Sequence, residues 1–83
     1  MRPTNLQRAR KYGIKYAEDQ VKILRDNPDY IGVGLIRENF PEFVARMAEV
    51  SVFMIFHYKC KDLDLLKIQA YDAAYKRAKE LEN

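Results

Sequence analysis

The chain has 83 residues, of which 48% are apolar and 33% are charged, and its net charge is +3. This is too apolar for a disordered chain, and the length suits one domain over residues 1–83. No uncharged stretch approaches the roughly 20 residues that cross a bilayer, and Arg2 precedes no apolar core of a signal peptide.

The positive charge belongs to the beginning of the chain. Residues 1–26 carry seven basic and three acidic side chains, whereas the remaining 57 residues carry eight basic and nine acidic ones. The single cysteine, Cys60, cannot form an internal disulfide, which favours a reducing compartment. We therefore expect a cytoplasmic protein with a basic N-terminal segment.

The first helix is predicted from Asn5 to Asp26. Thr4 and Gln7 have the spacing of a capping box, in which each side chain binds the other residue's backbone amide. Gly13 would let a second helix approach closely, although glycine costs a helix about 1 kcal/mol. Apolar positions recur at steps of three and four. They are Leu6, Ala9, Gly13, Tyr16, Ala17, Val21 and Leu24.

Asn27 and Pro28 end this helix and can start another, since asparagine is a good N-cap and proline suits the first helical position. We predict a short helix over residues 29–38. A short strand over residues 30–36 is the alternative, because this segment is rich in β-branched residues and contains two glycines. Its Gly-Val-Gly is too short for a phosphate-binding loop.

Asn39 and Glu42 have capping-box spacing, and they predict a long helix ending near Lys59 or Lys61. No glycine or proline follows Glu42. The run from Val50 to Phe56 is apolar on all sides, and such a helix must be surrounded. Alternation over residues 50–58 also fits a strand, which stays as the alternative.

A last helix is predicted from Leu63 to Glu82, with Asp62 as its cap. Because its junction with the preceding helix lacks an obligate breaker, one continuous helix across residues 41–60 and 63–82 stays open. Its apolar positions are Leu63, Leu66, Ala70, Ala74 and Leu81.

The predicted fold class is therefore all-α, a small bundle of three main helices and one short helix. The alternative is an α+β fold with short strands near residues 30–36 and 50–58. Twelve apolar residues of these helices are candidates for the core. They are Leu6, Val21, Leu24, Ile36, Phe43, Met47, Val50, Met54, Ile55, Leu66, Ala70 and Ala74.

One face of the long helix changes from polar, at Glu42, Arg46 and Glu49, to aromatic. This change indicates a partner-binding or self-association patch, which we assign to Phe53, Phe56 and Cys60. Tyrosine pairs four residues apart also suit interfaces, because tyrosine offers a large area and a polar tip. The pairs are Tyr12 with Tyr16 and Tyr71 with Tyr75, and the second pair is predicted to bind the partner.

The first helix carries basic residues on roughly one face, and an aromatic ring lies beside them. Basic and aromatic side chains together can neutralise phosphates and stack on bases. Glu18 and Asp19 interrupt this face, so a solvated surface with ordinary ion pairs explains it better. The residues of this alternative nucleic-acid or nucleotide site are Arg8, Lys11, Tyr12, Lys15 and Lys22.

The spacing of His57, Cys60 and Asp64 places them on one helix face, but it predicts neither a metal site nor catalysis. Structural zinc needs four ligands, and the chain has one cysteine and one histidine. A nucleophilic cysteine would need a third orienting group and an oxyanion hole. We expect no cofactor and no enzymatic activity.

The apolar helix after Asn39 also argues against a helix-turn-helix motif, whose recognition helix is polar. We expect a non-catalytic interaction protein that docks onto itself and onto a larger protein complex, as an inhibitor or adaptor. A mobile-element or phage inhibitor of a host defence or gene-expression complex fits that description. The alternative is a nucleic-acid or nucleotide-binding protein that uses the basic helix.

Overall fold

The structure is a computed structural model that describes residues 4–27, 40–56 and 61–82, and these residues form three α-helices. Helix α1 spans Asn5–Asp26, α2 spans Phe40–Phe56 and α3 spans Leu63–Glu82. The all-α bundle is confirmed. A strand over residues 50–58 is wrong for 50–56, which are helical. The short helix over 29–38 and the strand over 30–36 lie outside the described residues.

The ends of α1 follow the predicted capping. The Thr4 hydroxyl accepts a hydrogen bond from the backbone N–H of Gln7 at 3.1 Å, and the Gln7 side chain accepts one from the Thr4 N–H at 2.9 Å. At the other end, the backbone N–H and side-chain amide of Asn27 both donate to the carbonyl of Ile23. The capping box therefore fixes where the helix begins, and Asn27 closes its last turn.

Helices α1 and α3 pack through small residues that recur every fourth position. A Cβ atom on Gly13 would lie 2.5 Å from the carbonyl oxygen of Ala70, so the two backbones nearly touch there. The predicted close approach at Gly13 is confirmed. The small or apolar side chains of this seam are all buried. They are Ala9, Ala17 and Val21 on α1, and Leu66, Ala70, Ala74 and Ala78 on α3.

Helix α2 runs antiparallel to the other two. Its last residue, Phe56, packs with Ala9 and Leu66 at one end of the bundle, whereas Phe40 packs with Val21 and other residues at the opposite end. Lys61 and Asp62 form a turn before α3. One continuous helix across 41–60 and 63–82 is therefore wrong.

The central helix of the bundle is α3, because it contacts both α1 and α2 extensively while those two helices touch each other far less. The bundle is flat, with principal extents of 40 × 23 × 17 Å. The apolar helix α2 therefore lies at one side, where only part of its circumference is covered.

The predicted core is correct for Val21, Leu66, Ala70 and Ala74. The Leu24 side chain and Ile36 lie outside what the structure describes. Six other core predictions are wrong, because these side chains are exposed. They are Leu6, Phe43, Met47, Val50, Met54 and Ile55.

The reason is that α2 packs closely against the alanines of α3. A helix that approaches an alanine-lined neighbour leaves no room for large side chains between the two backbones. Between its two ends, helix α2 therefore turns a face of alanine and valine inward, and the larger side chains of this middle part remain outside. The inward face consists of Val44, Ala45, Ala48, Val52 and the two terminal rings Phe40 and Phe56.

Candidate functional site

The outward face of α2 carries a line of large apolar side chains, which we call the apolar stripe. It consists of Phe43, Met47, Val50 and Met54, at steps of four, three and four residues. With 3.6 residues per turn, these four lie within about 60° of one another around the helix. They expose between 38% and 69% of their surface, and most of the buried residues of α2 lie on the opposite side.

Phe53 lies beside the apolar stripe on one edge, and Ile55 lies farther round the helix on the other side. Both are about half exposed, and the Lys67 ammonium of α3 lies 5.6 Å from the centre of the Phe53 ring. At about 200 Å² for a large side chain, the apolar stripe and Phe53 together expose on the order of 500 Å². That lies in the upper half of the range for the largest apolar patch on a typical monomer, about 300–600 Å².

Charges beside the apolar stripe are paired within the chain. The Arg46 guanidinium lies 2.7 Å from the Glu42 carboxylate, and the Lys67 ammonium lies 3.7 Å from the Glu49 carboxylate. Both pairs are partly or largely solvated, so they contribute little to stability. They nevertheless leave the edge of the stripe that faces α3 without net charge.

The predicted partner patch is only partly exposed. Phe53 is accessible, but the expectation that Phe56 is accessible is wrong, because only 6% of this residue is exposed. The Arg8 guanidinium lies 5.5 Å from the centre of the Phe56 ring and covers it at the end of the bundle. Cys60 lies outside the described residues. The accessible apolar surface is therefore the stripe, one quarter-turn away from the predicted face.

The two tyrosine pairs lie against the core. The Tyr71 and Tyr75 rings are stacked with centroids 6.2 Å apart, and both are partly buried against the larger core cluster. Tyr12 and Tyr16 lie 6.0 Å apart in a tilted arrangement. Burial, reinforced by neighbouring Tyr12, raises the pKa of the Tyr16 phenol above its usual value. Each pair thus packs against the bundle and keeps one edge in solvent.

The basic residues of α1 divide into two groups. Arg8 covers Phe56, whereas the side chains of Lys11, Lys15 and Lys22 are exposed. No ion pair within the described helices involves any of these three lysines.

Of the two acids that interrupt the basic face, Glu18 is directed to the Arg77 guanidinium of α3 at 3.3 Å. The hydrogen bond that Arg77 donates to Glu18 raises the pKa of Arg77, and the bond to Glu80 makes a smaller contribution. Asp19 is exposed beside the lysines. The three lysines therefore form a small cationic surface with an acid at its edge.

No charged or polar side chain is buried in the part of the chain that the structure describes. An open groove of about 440 Å³ lies between α1 and α3. Charged residues of both signs line it, namely Arg10, Asp72, Lys76, Arg77 and Glu80, together with Ile14, Gln69 and Ala73.

Among residues 4–27, 40–56 and 61–82, no three acidic, histidine or cysteine side chains lie close enough together to hold a metal ion. His57 and Cys60 lie outside these ranges. None of the three described helices is long and apolar enough to cross a membrane. Comparison with protein families, curated proteins and solved structures returned no match for this chain.

The signal that identifies the apolar stripe is present in the sequence. Large side chains recur at steps of four, three and four, which is the heptad spacing of a helix–helix seam. Val44, Ala48, Val52 and Phe56 recur every fourth residue on the other side of the same helix. Two apolar periodicities on one helix indicate two packing faces, of which a small bundle can cover only one.

Proposed function

We propose that this protein is a non-catalytic docking protein that binds another protein through the apolar stripe of α2. A small intracellular inhibitor or adaptor works in this way, by covering a surface of a larger complex or by joining two components. The proposal replaces the patch of Phe53, Phe56 and Cys60 with a surface centred on Val50 and keeps Phe53 as its edge.

One observation supports the proposal most directly. Helix α2 buries Val44, Ala48 and Val52 in the bundle while it exposes Val50 and Met54 to 54% and 69% on its other side. Exposed apolar area adds nothing to the stability of a monomer and promotes aggregation. The same area stabilises a complex when a partner covers it, because burial releases about 25 cal/mol per Å².

The composition of the stripe supports a protein partner. Phenylalanine and methionine are enriched in the centres of protein interfaces, and methionine adapts its shape to irregular surfaces. The heptad spacing suits an apolar helix laid along α2, an established mode of peptide recognition. In this proposal, the partly buried Tyr71 and Tyr75 stabilise the bundle.

The test is photo-crosslinking in the cells that produce the protein. The photoreactive residue p-benzoylphenylalanine is placed at Val50 and, as a matched control, at Leu65, which is exposed to almost the same extent but lies on α3. We expect discrete crosslinked proteins from position 50 and none of these from position 65. Identical products at both positions, or none at position 50, would refute docking through the stripe.

Nucleic-acid or nucleotide binding is the second candidate function, and the three exposed lysines of α1 favour it. Binding would depend on charge, so the affinity for a labelled oligonucleotide should fall steeply with salt concentration. Replacing Lys11 and Lys15 with glutamine should weaken such binding and reduce its salt dependence. An oligonucleotide affinity that is unchanged in this double variant would exclude the basic face as the site.

A further inference from the structure

We infer that the occupant of the apolar stripe is a second copy of this chain, whose α2 helix lies antiparallel against the first. The inference rests on the proposed docking function and specifies its partner as a second copy, in place of a component of a larger complex. The two stripes would face each other across a twofold axis. Along α2, this axis crosses the contact midway between Met47 and Val50.

The spacing of the stripe is the first argument. A seam of large residues at steps of four, three and four is self-complementary, since a second helix with the same pattern supplies side chains for the gaps. In the antiparallel register, Phe43 lies level with Met54 of the second copy, and Met47 lies level with Val50. The bulky ring at one end of the stripe thereby meets the flexible methionine at the other.

The charges give the second argument. A partner attracted by charge would need an unbalanced surface, but the acids Glu42 and Glu49 beside the stripe are already paired with Arg46 and Lys67. A second copy presents the same neutral surface. The excess of basic residues lies on residues 1–26, so the exposed lysines of α1 are not brought into the α2–α2 contact.

The edge of the stripe favours the antiparallel direction. Arg46 and Phe53 occupy the same edge, and equivalent edges face each other only when the helices are antiparallel. The Arg46 side chain, 72% exposed, would then reach the exposed Phe53 ring of the second copy. A guanidinium over an aromatic face is attracted to it, and the twofold axis repeats the contact. In a parallel pair, Arg46 would lie beside Ser51 instead.

The area fits a weak, concentration-dependent dimer. Two copies that each cover about 500 Å² of the apolar stripe and Phe53 remove roughly 1,000 Å² from water, which is the minimum expected of a biological interface. Antiparallel packing also aligns the helix dipoles favourably.

The first experiment measures molar mass by light scattering and sedimentation equilibrium over a range of concentrations. We expect a dimer for the unmodified chain and for Leu65→Asp, and a helical monomer for Val50→Asp and Met54→Lys. Circular dichroism reports whether each variant remains folded. A monomer at every concentration, or dimers that persist in both stripe variants, would overturn the inference.

The second experiment tests the direction of the helices in a Cys60→Ser background. Phe43 and Met54 are about 16 Å apart along one helix, and a disulfide requires Cα atoms within about 7 Å. Phe43→Cys and Met54→Cys, each with a different tag, should form few crosslinks alone and a heterodisulfide when mixed. Homodisulfides of each variant and no heterodisulfide would overturn the antiparallel arrangement.

The two proposals can fail separately. If the chain is monomeric while position 50 crosslinks to a different protein, the second copy is wrong and the docking function stands. If position 50 crosslinks to nothing and the chain is monomeric, both are wrong.

Discussion

Gly13→Ala is the substitution that most directly tests how closely α1 and α3 pack. Alanine is the better helix former, by about 1 kcal/mol, so a loosely packed helix would gain stability. The new Cβ atom, however, would lie 2.5 Å from the carbonyl oxygen of Ala70 and 3.2 Å from its carbonyl carbon and Cα. These are backbone atoms, so no side-chain rotation relieves the contact.

The helices would therefore have to separate by roughly 0.5–1 Å, which removes about a quarter to a half of the dispersion attraction of each contact along the seam. Overpacking of this kind costs about 1–3 kcal/mol. Taking the upper part of that range because both sides are backbone, and subtracting the gain in helix propensity, we expect a net loss of about 2 kcal/mol. In a chain of this length, the Tm should fall by about 8–16 °C.

The assay is thermal and urea unfolding followed by circular dichroism at 222 nm, performed in the Val50→Asp background so that self-association does not contribute. Lys15→Ala, at an exposed position of the same helix, is the control and should change stability by less than about 0.5 kcal/mol. A Tm for Gly13→Ala equal to or above that of its parent would refute the close approach of the two backbones.

Two further predictions follow from burial. Phe56→Ala should lower the free energy of unfolding by about 3 kcal/mol or more, because this ring fills the end of the core. Phe53→Ala should lower it by less than about 1 kcal/mol in the monomer. Equal losses in urea titrations would contradict the assignment of Phe56 to the core and Phe53 to the surface. The raised pKa of Tyr16 means that the folded state holds the phenolic proton more tightly than the unfolded state does. The resulting contribution to the free energy of unfolding is complete below about pH 10 and is lost as the pH rises through the folded pKa. Tyr16→Phe should therefore weaken the dependence of Tm on pH in this alkaline range, and an unchanged dependence would contradict the burial of the phenol.

The ends of α1 were predictable because capping is local. Thr4 and Gln7 satisfy each other's backbone groups within one turn, and no distant residue is needed to recognise this pattern. Gly13 was predictable for a similar reason, since a glycine on the apolar side of a helix indicates the close approach of another backbone.

The orientation of α2 does not follow from the size of its apolar residues. Phe43, Met47, Val50 and Met54 were predicted to lie in the core, but the middle of α2 packs against the alanines of α3 through alanine and valine. Most of the large apolar side chains of α2 therefore lie on the side that faces away from the core. The candidate surface shifted for the same reason, because the predicted contact residue Phe56 is needed to close the core.

The most direct test of the central claim, that the apolar stripe is an outer surface of the folded chain, is methyl NMR of the methionines. The chain contains three methionines, and the signals of Met47 and Met54 can be assigned with Met47→Leu and Met54→Leu. We expect a soluble paramagnetic probe to broaden both signals in the folded Val50→Asp variant, and to broaden them much less in the unmodified protein at concentrations where it associates. If both methyl groups remain protected in the folded monomer, the stripe belongs to the core and docking through it is wrong.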